Sequence, residues 1–132
     1  MVSGPDAADL WVELDGAVRY GARAAALTVH APGLVDVLYP ASRDGSDLVT
    51  RALAAEGLLR LALAGMAGRE GRAAVALLGL ADGLGGAPMG VRRRRAAAAL
   101  GVTHWALAKP ARREGLMLAV AVEVRRVLLT VG

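Results

Sequence analysis

The strongest constraint on the fold of this chain is that its apolar side chains are almost all small or aliphatic. Hydrophobic residues make up 55% of the 132 positions, but only 3% are aromatic and phenylalanine is absent. A core must therefore be built from Leu, Val and Ala, which suit closely approaching helices better than a sandwich of two sheets. The length is that of one domain. We predict a single all-α domain over residues 1–132, a compact bundle of about six helices.

Apolar periodicity places the helices. One face between residues 7 and 30 carries Leu10, Leu14, Val18 and Ala22, with a break expected near Gly16 or Gly21. The clearest helix follows an N-cap at Ser46 or Asp47, and its apolar stripe consists of Leu48, Ala52, Ala55, Leu59, Ala62 and Met66. Further helices are predicted over residues 34–39, 72–80, 89–100, 104–109 and 111–129.

Two segments also fit strands. Residues 10–20 contain two short apolar runs separated by Asp15-Gly16, which is typical of a β-hairpin. In residues 116–124 every second position is a large aliphatic residue, as in a strand: Leu116, Leu118, Val120, Val122 and Val124. We favour helix in both, because an alanine-rich run follows the first and because Leu116, Val120 and Val124 also align on one helical face.

Charge is divided unevenly along the chain, whose net charge is +4. Residues 1–66 hold five arginines against eight acids, a net of −3, whereas residues 67–132 hold eleven Arg and Lys against four acids, a net of +7. This division predicts either an anionic partner for the basic half or head-to-tail association of two copies.

The basic half contains a sequence with the pattern of a helix-turn-helix. Ala97 is small enough for two helices to approach closely, and Gly101 can adopt the left-handed conformation that ends the first helix. Val102 would fill the angle between the helices, Thr103 can cap the second, and Leu107 would pack inward. We therefore predict a helix-turn-helix-like segment over residues 89–109.

The arginine run and the short second helix limit what this segment can bind. The residues of Arg92–Arg95 span a full helical turn, so they cannot all face one ligand and at least one must turn toward the core. Pro110 limits the second helix to little more than one turn. Its exposed face offers only His104, Trp105 and Lys109 for reading bases.

Several short motifs, most of them in the second half of the chain, together form a further pattern. They are Leu34–Pro40, Arg51–Leu53, Leu77–Leu80, Gly85-Gly86, Arg93–Ala97, Leu100–Val102, Arg112–Glu114, Leu116-Met117, Glu123 and Arg126. With these motifs the chain resembles a helix-turn-helix-like module found in many actinobacterial proteins, where it accompanies signalling or conflict-system effector domains. The resemblance implies an adaptor without an active site, which docks a partner or a copy of itself. The chain departs from the pattern at Trp105–Lys109, which is mainly apolar where more arginines are expected.

Signs of catalysis are missing from the sequence. There is no cysteine, and the two histidines, His30 and His104, are 74 positions apart, so no metal site is predicted. The glycines at 83, 85 and 86 lack the lysine of a phosphate-binding loop, and no serine lies in a Gly-x-Ser-x-Gly turn. We expect no catalytic residues, no cofactor and no small-molecule substrate. With no secretory signal and no charge-free run of membrane-spanning length, we expect a cytoplasmic protein that does not enter a membrane.

The sequence thus favours a non-enzymatic protein-interaction module that binds a protein partner or a second copy of itself. The alternative is a DNA-binding regulator that uses residues 89–109. The candidate binding residues under either hypothesis are Arg92, Arg93, Arg94, Arg95, His104, Trp105, Lys109, Arg112 and Arg113.

Overall fold

The computed structural model describes residues 6–41 and 45–131. These residues form eight helices, joined by turns and loops, and no strand. The helices are α1 (Ala7–Val18), α2 (Ala24–His30), α3 (Pro32–Leu38), α4 (Leu48–Ala64), α5 (Gly68–Leu77), α6 (Met89–Leu100), α7 (His104–Ala108) and α8 (Pro110–Val131). The all-α class is confirmed, but the count is eight rather than about six. The stretch from Ala7 to His30 divides into two helices at Gly21, whose φ of 90° ends α1, while Gly16 lies within α1.

Both segments that also fitted strands are helical. In α1, Leu10, Leu14 and Val18 are buried on one face, as the helical pattern predicts. In α8, Leu116, Val120 and Val124 are buried, whereas the alternating positions Leu118 and Val122 point to solvent. A strand would have placed 116, 118 and 120 on one side, so burial at intervals of four residues identifies a helix.

The core is aliphatic throughout. Helix α8 is the longest element, with 22 residues, and packs against both α1 and α4. Helix α5 packs along α6, and α6 continues through a tight bend into α7. Helix α4 is also covered on one side by α2 and α3. Leu, Val, Ala and a single fully buried methionine fill the space between these helices, as expected for a chain without phenylalanine.

The largest fully buried side chain is that of Arg92, which is only 2% exposed. Its guanidinium donates four hydrogen bonds to backbone carbonyl oxygens: Nη1 to Val18 at 2.6 Å and to Leu77 at 2.5 Å, Nη2 to Arg19 at 2.8 Å, and Nε to Ala87 at 3.0 Å. Val18 and Leu77 are the last residues of α1 and α5, where carbonyls lack helical partners and the helix dipoles are negative. Arg92 therefore joins the ends of two helices to α6. Burial lowers the pKa of Arg92, and the charge of Arg93 lowers it further.

The segment after α5 is held by other donors from distant parts of the chain. The Leu78 carbonyl accepts from the Ala22 amide at 2.7 Å. Arg23 donates to the carbonyls of Gly79, at 2.8 Å, and of Ala81, at 2.9 Å. With Leu77 bound by Arg92 and Leu80 bound by Arg60, each carbonyl from Leu77 to Ala81 accepts a hydrogen bond from a distant residue. This turn is thereby fixed without regular secondary structure.

Glu56 and Arg60 form an ion pair on α4, with Nε and Oε2 2.9 Å apart. Glu56 also accepts from the Ala24 amide at 2.7 Å, at the start of α2, and Arg60 donates to the Leu80 carbonyl at 3.0 Å. Burial raises the pKa of Glu56, but the hydrogen bonds from Arg60 and Ala24 outweigh it, so the pKa is lowered. The pair therefore connects α4 to α2 and to the turn after α5.

We expect Arg92→Ala to lower the free energy of unfolding by at least about 3 kcal/mol. Hydrogen bonds to charged groups contribute roughly 1.5–3 kcal/mol each. Two buried and two partly buried carbonyls would lose their donor at once. The free energy of unfolding of Arg92→Lys should lie between those of the wild type and Arg92→Ala, because an ammonium retains the charge but lacks the planar fork of a guanidinium. Urea unfolding followed by circular dichroism measures the change.

The matched control is Arg94→Ala on the exposed face of the same helix, which should change the stability by less than about 0.5 kcal/mol. Equal stabilities of the two alanine variants would contradict the structural role given to Arg92.

Candidate binding surface at the C-terminal helices

The predicted bend between α6 and α7 is present. Gly101 has the left-handed φ of 71°, and the Val102 amide donates to the Ala97 carbonyl at 3.0 Å, which closes the end of α6. The Thr103 hydroxyl accepts from the Ala106 amide at 3.1 Å and caps α7, while Leu107 is buried. Each residue of the bend therefore has the local role that its type predicts.

Helix α7 has only five residues and ends at Ala108, and α8 begins at Pro110. The predicted shortening of the second helix is therefore confirmed. A recognition helix in the major groove presents base-contacting residues over two or more turns. Helix α7 offers little more than one turn, so its exposed side chains form a corner of the protein rather than a groove-length surface.

The four consecutive arginines point in different directions. Arg92 lies in the core with its donors bound to carbonyls, and this removes it from the candidate binding residues. Arg93 is half-buried toward α1, Arg94 is exposed, and Arg95 is exposed on the side of α5, where it lines a cleft with Arg72. The expectation that one arginine turns inward is confirmed, and no single ligand can contact the whole run.

A first cleft, of about 600 Å³, brings Arg93 together with Arg113 on α8 and with Arg19 at the end of α1. Arg113 Nε is 2.9 Å from Asp15 Oδ1, so one of the three cations is already paired. Arg19 stacks over the ring of Tyr20, 5.5 Å from its centroid. Sequence patterns do not reveal Arg19 as a member of this cluster, because it is 74 positions from Arg93 and has no motif of its own.

A second cleft, of about 530 Å³, lies between α5, the end of α6 and the first turns of α8. Lys109 and Arg112 line it together with Glu70, and Leu100 and Leu116 form part of its apolar wall. Two of the predicted basic residues therefore share one surface, at the junction of α7 and α8.

Trp105 lies four residues before Lys109 in the chain and is 77% exposed, more than any other large apolar side chain among the described residues. The His104 ring contacts it edge-on, with ring centroids 5.2 Å apart. Nδ1 of His104 is buried and has no hydrogen-bond partner in the described structure. We call Trp105, Lys109 and Arg112, with the cleft beside them, the α7 corner.

Among the described residues, no three His, Asp or Glu side chains are grouped as a metal site requires. None of the described helices combines the length and apolar character needed to cross a membrane.

Comparison with known proteins returns no match: no family model, curated protein or solved structure is significantly similar to this chain. The resemblance to effector-associated helical modules therefore stays a prediction from short motifs. That residues 1–132 form a single domain also stays a prediction.

Substitutions of two glycines, one within α6 and one directly after it, test whether the left-handed conformation of Gly101 forms the bend. Gly101→Ala should lower the free energy of unfolding by about 1–2 kcal/mol, because a side chain is strained at this left-handed φ. Gly90→Ala should instead raise it by up to about 1 kcal/mol, since Gly90 is helical and an added methyl meets no atom within 4 Å. Urea midpoints measure both changes, and effects of the same sign would contradict this account of the bend.

Proposed function

We propose that this chain is a non-enzymatic protein-interaction module that binds a protein partner or a second copy of itself. Exposure of Trp105 is the observation that carries the proposal. A tryptophan on the surface loses apolar contacts that it could make in a core, and exposed aromatic anchors beside arginines are typical of binding hot spots. Trp105 is not needed for packing at its own position, where the buried residue of α7 is Leu107.

The surroundings of Trp105 suit an acidic protein surface. Lys109 and Arg112 are exposed next to an open apolar cleft, and the basic half of the chain has a net charge of +7. An apolar anchor with a basic rim would bind a partner that presents an apolar residue among carboxylates. A role in a signalling or defence system is part of the proposal and rests on the resemblance to effector-associated modules.

The alternative is a DNA-binding regulator. The bend at Gly101 with its capped second helix favours it, as do the exposed cations Arg94 and Arg95. Against it stand the single turn of α7 and the burial of Arg92, which leave few side chains for base edges and one fewer for phosphates.

The two functions differ in how substitutions and salt affect binding. We expect purified protein, used as bait in a cell extract of the source organism, to retain specific proteins, and Trp105→Ala to reduce that retention about tenfold or more, as the loss of a hot spot does. Val12→Ala is the matched control, because Val12 is a similarly exposed apolar residue on α1.

Titration against random duplex DNA at two salt concentrations tests the alternative. Tight binding that collapses with salt, and that weakens when Arg94 and Arg95 are both replaced by Gln, would establish phosphate contacts and overturn the adaptor proposal. Absence of binding at low salt would rule out the DNA function.

A further inference from the structure

The first cleft holds more positive charge than the protein itself neutralises. Arg19, Arg93 and Arg113 line it, and Asp15 is the carboxylate among the described residues of its wall. Asp15 Oδ1 accepts a hydrogen bond from Arg113 Nε at 2.9 Å. Three cations against one anion leave a charge of +2 in this cleft, which we call the arginine cleft.

Arg93 is the cation of the arginine cleft that folding explains least. Its side chain is half-buried, yet no hydrogen bond or ion pair joins its guanidinium to another described residue. Its charge also lowers the pKa of the buried Arg92, because two like charges repel each other. Charged groups that are partly removed from water are normally paired. The donors of Arg93 are therefore available to an anion that enters the cleft.

The end of α1 does not oppose such an anion. Val18 and Arg19 form part of the wall, and the carbonyls at a helix C-terminus carry a partial negative charge that repels anions. Here the guanidinium of Arg92 donates to the Val18 carbonyl at 2.6 Å and to the Arg19 carbonyl at 2.8 Å. Both carbonyls are thus bound by a buried cation, and the exposed charge of the cleft is that of its arginines.

Two of the three cations are already held in place. Arg113 is fixed by Asp15, and Arg19 lies over the ring of Tyr20, 5.5 Å from its centroid. Tyr20 also lines the cleft, and its ring is itself stacked on that of His30, with centroids 3.7 Å apart. Side chains that are oriented before a ligand arrives lose less conformational entropy when it binds.

From these observations we infer that the arginine cleft binds the phosphate group of a small phosphate monoester, such as a mononucleotide. A phosphate monoester carries a charge of about −1.5 to −2 near neutral pH, which matches the charge of +2 in the cleft. Its oxygens suit the planar fork of a guanidinium, which can donate two hydrogen bonds at once. A single carboxylate would neutralise only half of the excess charge.

The shape of the cleft favours a small ligand over a macromolecule. Its volume of about 600 Å³ lies within the range of roughly 300–1,000 Å³ that is typical of small-molecule sites. Arg93 and Arg113 are half-buried within it, whereas Arg94, on the same helix as Arg93, is exposed outside it. Cations that follow the backbone of a duplex need the exposed kind of position.

The inference goes beyond the proposed function. The cleft beside Trp105 and the arginine cleft share no lining residue, although Arg112 and Arg113 are neighbours in the chain. A phosphate ligand would contact the end of α1, α6 and α8 together, through Arg19, Arg93 and Arg113. Trp105→Ala should leave its affinity unchanged, so either proposal can fail while the other holds.

Titration of the ¹⁵N-labelled full chain, followed by NMR, tests the inference. At about 50 mM NaCl, where screening is weak, sulfate and inorganic phosphate should shift the amide signals of residues 15–20 and 89–93 with a dissociation constant on the order of 1 mM. Acetate should bind at least about tenfold more weakly, because it carries one charge. Adenosine monophosphate should bind several-fold more tightly than inorganic phosphate, because the cleft is larger than one phosphate group.

A matched pair of substitutions on α6 locates the site. Arg93→Gln should weaken the binding of adenosine monophosphate about tenfold or more, since it removes a charged donor from the cleft. Arg94→Gln removes the same charge one residue further on, outside the cleft, and should change the affinity less than about twofold. Equal losses in the two variants would show that the anion senses only the overall charge of the surface, and would refute the site.

Asp15→Asn should strengthen binding. The substitution raises the excess charge of the cleft from +2 to +3 and frees Nε of Arg113, so the affinity for adenosine monophosphate should rise several-fold. A gain of this kind cannot result from a loss of folded protein, so this variant decides the matter even if Arg93→Gln does not fold. Unchanged or weaker binding would contradict the role given to the three arginines.

The remaining outcomes also count against the inference. Shifts that do not saturate, or that are as large with acetate as with sulfate, would exclude a phosphate site in this cleft. If random duplex DNA moves the same signals at a lower concentration of phosphate groups than adenosine monophosphate does, the cleft binds a nucleic-acid backbone and the small-ligand inference is wrong.

Discussion

The arrangement of this protein depends on one buried guanidinium. Arg92 binds carbonyls at the ends of α1 and α5 and in the loop before α6, and thereby fixes three parts of the chain that are far apart in sequence. The site suits an arginine because helix C-termini converge there, with their negative dipole ends and unpaired carbonyls. A lysine could supply the charge, but it could not reach four separate acceptors with a planar fork.

Arginines act in two ways in this chain. Arg23, Arg51, Arg60 and Arg92 bind backbone carbonyls or a nearby carboxylate and thereby connect separate parts of the chain. Among the other described cations, Arg93 and Arg113 are half-buried and the rest are exposed. A high arginine content is therefore weak evidence of an anionic ligand. Only the arginines that keep accessible donors, and not those whose guanidinium is fully bound by the protein itself, can contact such a ligand.

The proposed binding surface depends on side chains of different chemistry. The α7 corner combines the exposed Trp105 with the cations Lys109 and Arg112 and an open cleft. Such a surface suits a partner that presents apolar and acidic groups together.

The sequence by itself determined the local structure: the helical class, the buried stripes of α1, α4 and α8, the capped bend at Gly101 and the short α7 before Pro110. These features depend on residues within about four positions of each other, where periodicity, caps and proline act directly. It also established that one arginine of the run turns inward. Only the tertiary structure decided that this arginine is Arg92 and that Arg19 joins Arg93 and Arg113. Those outcomes depend on which helices pack together, and contacts between residues some 74 positions apart leave no local pattern.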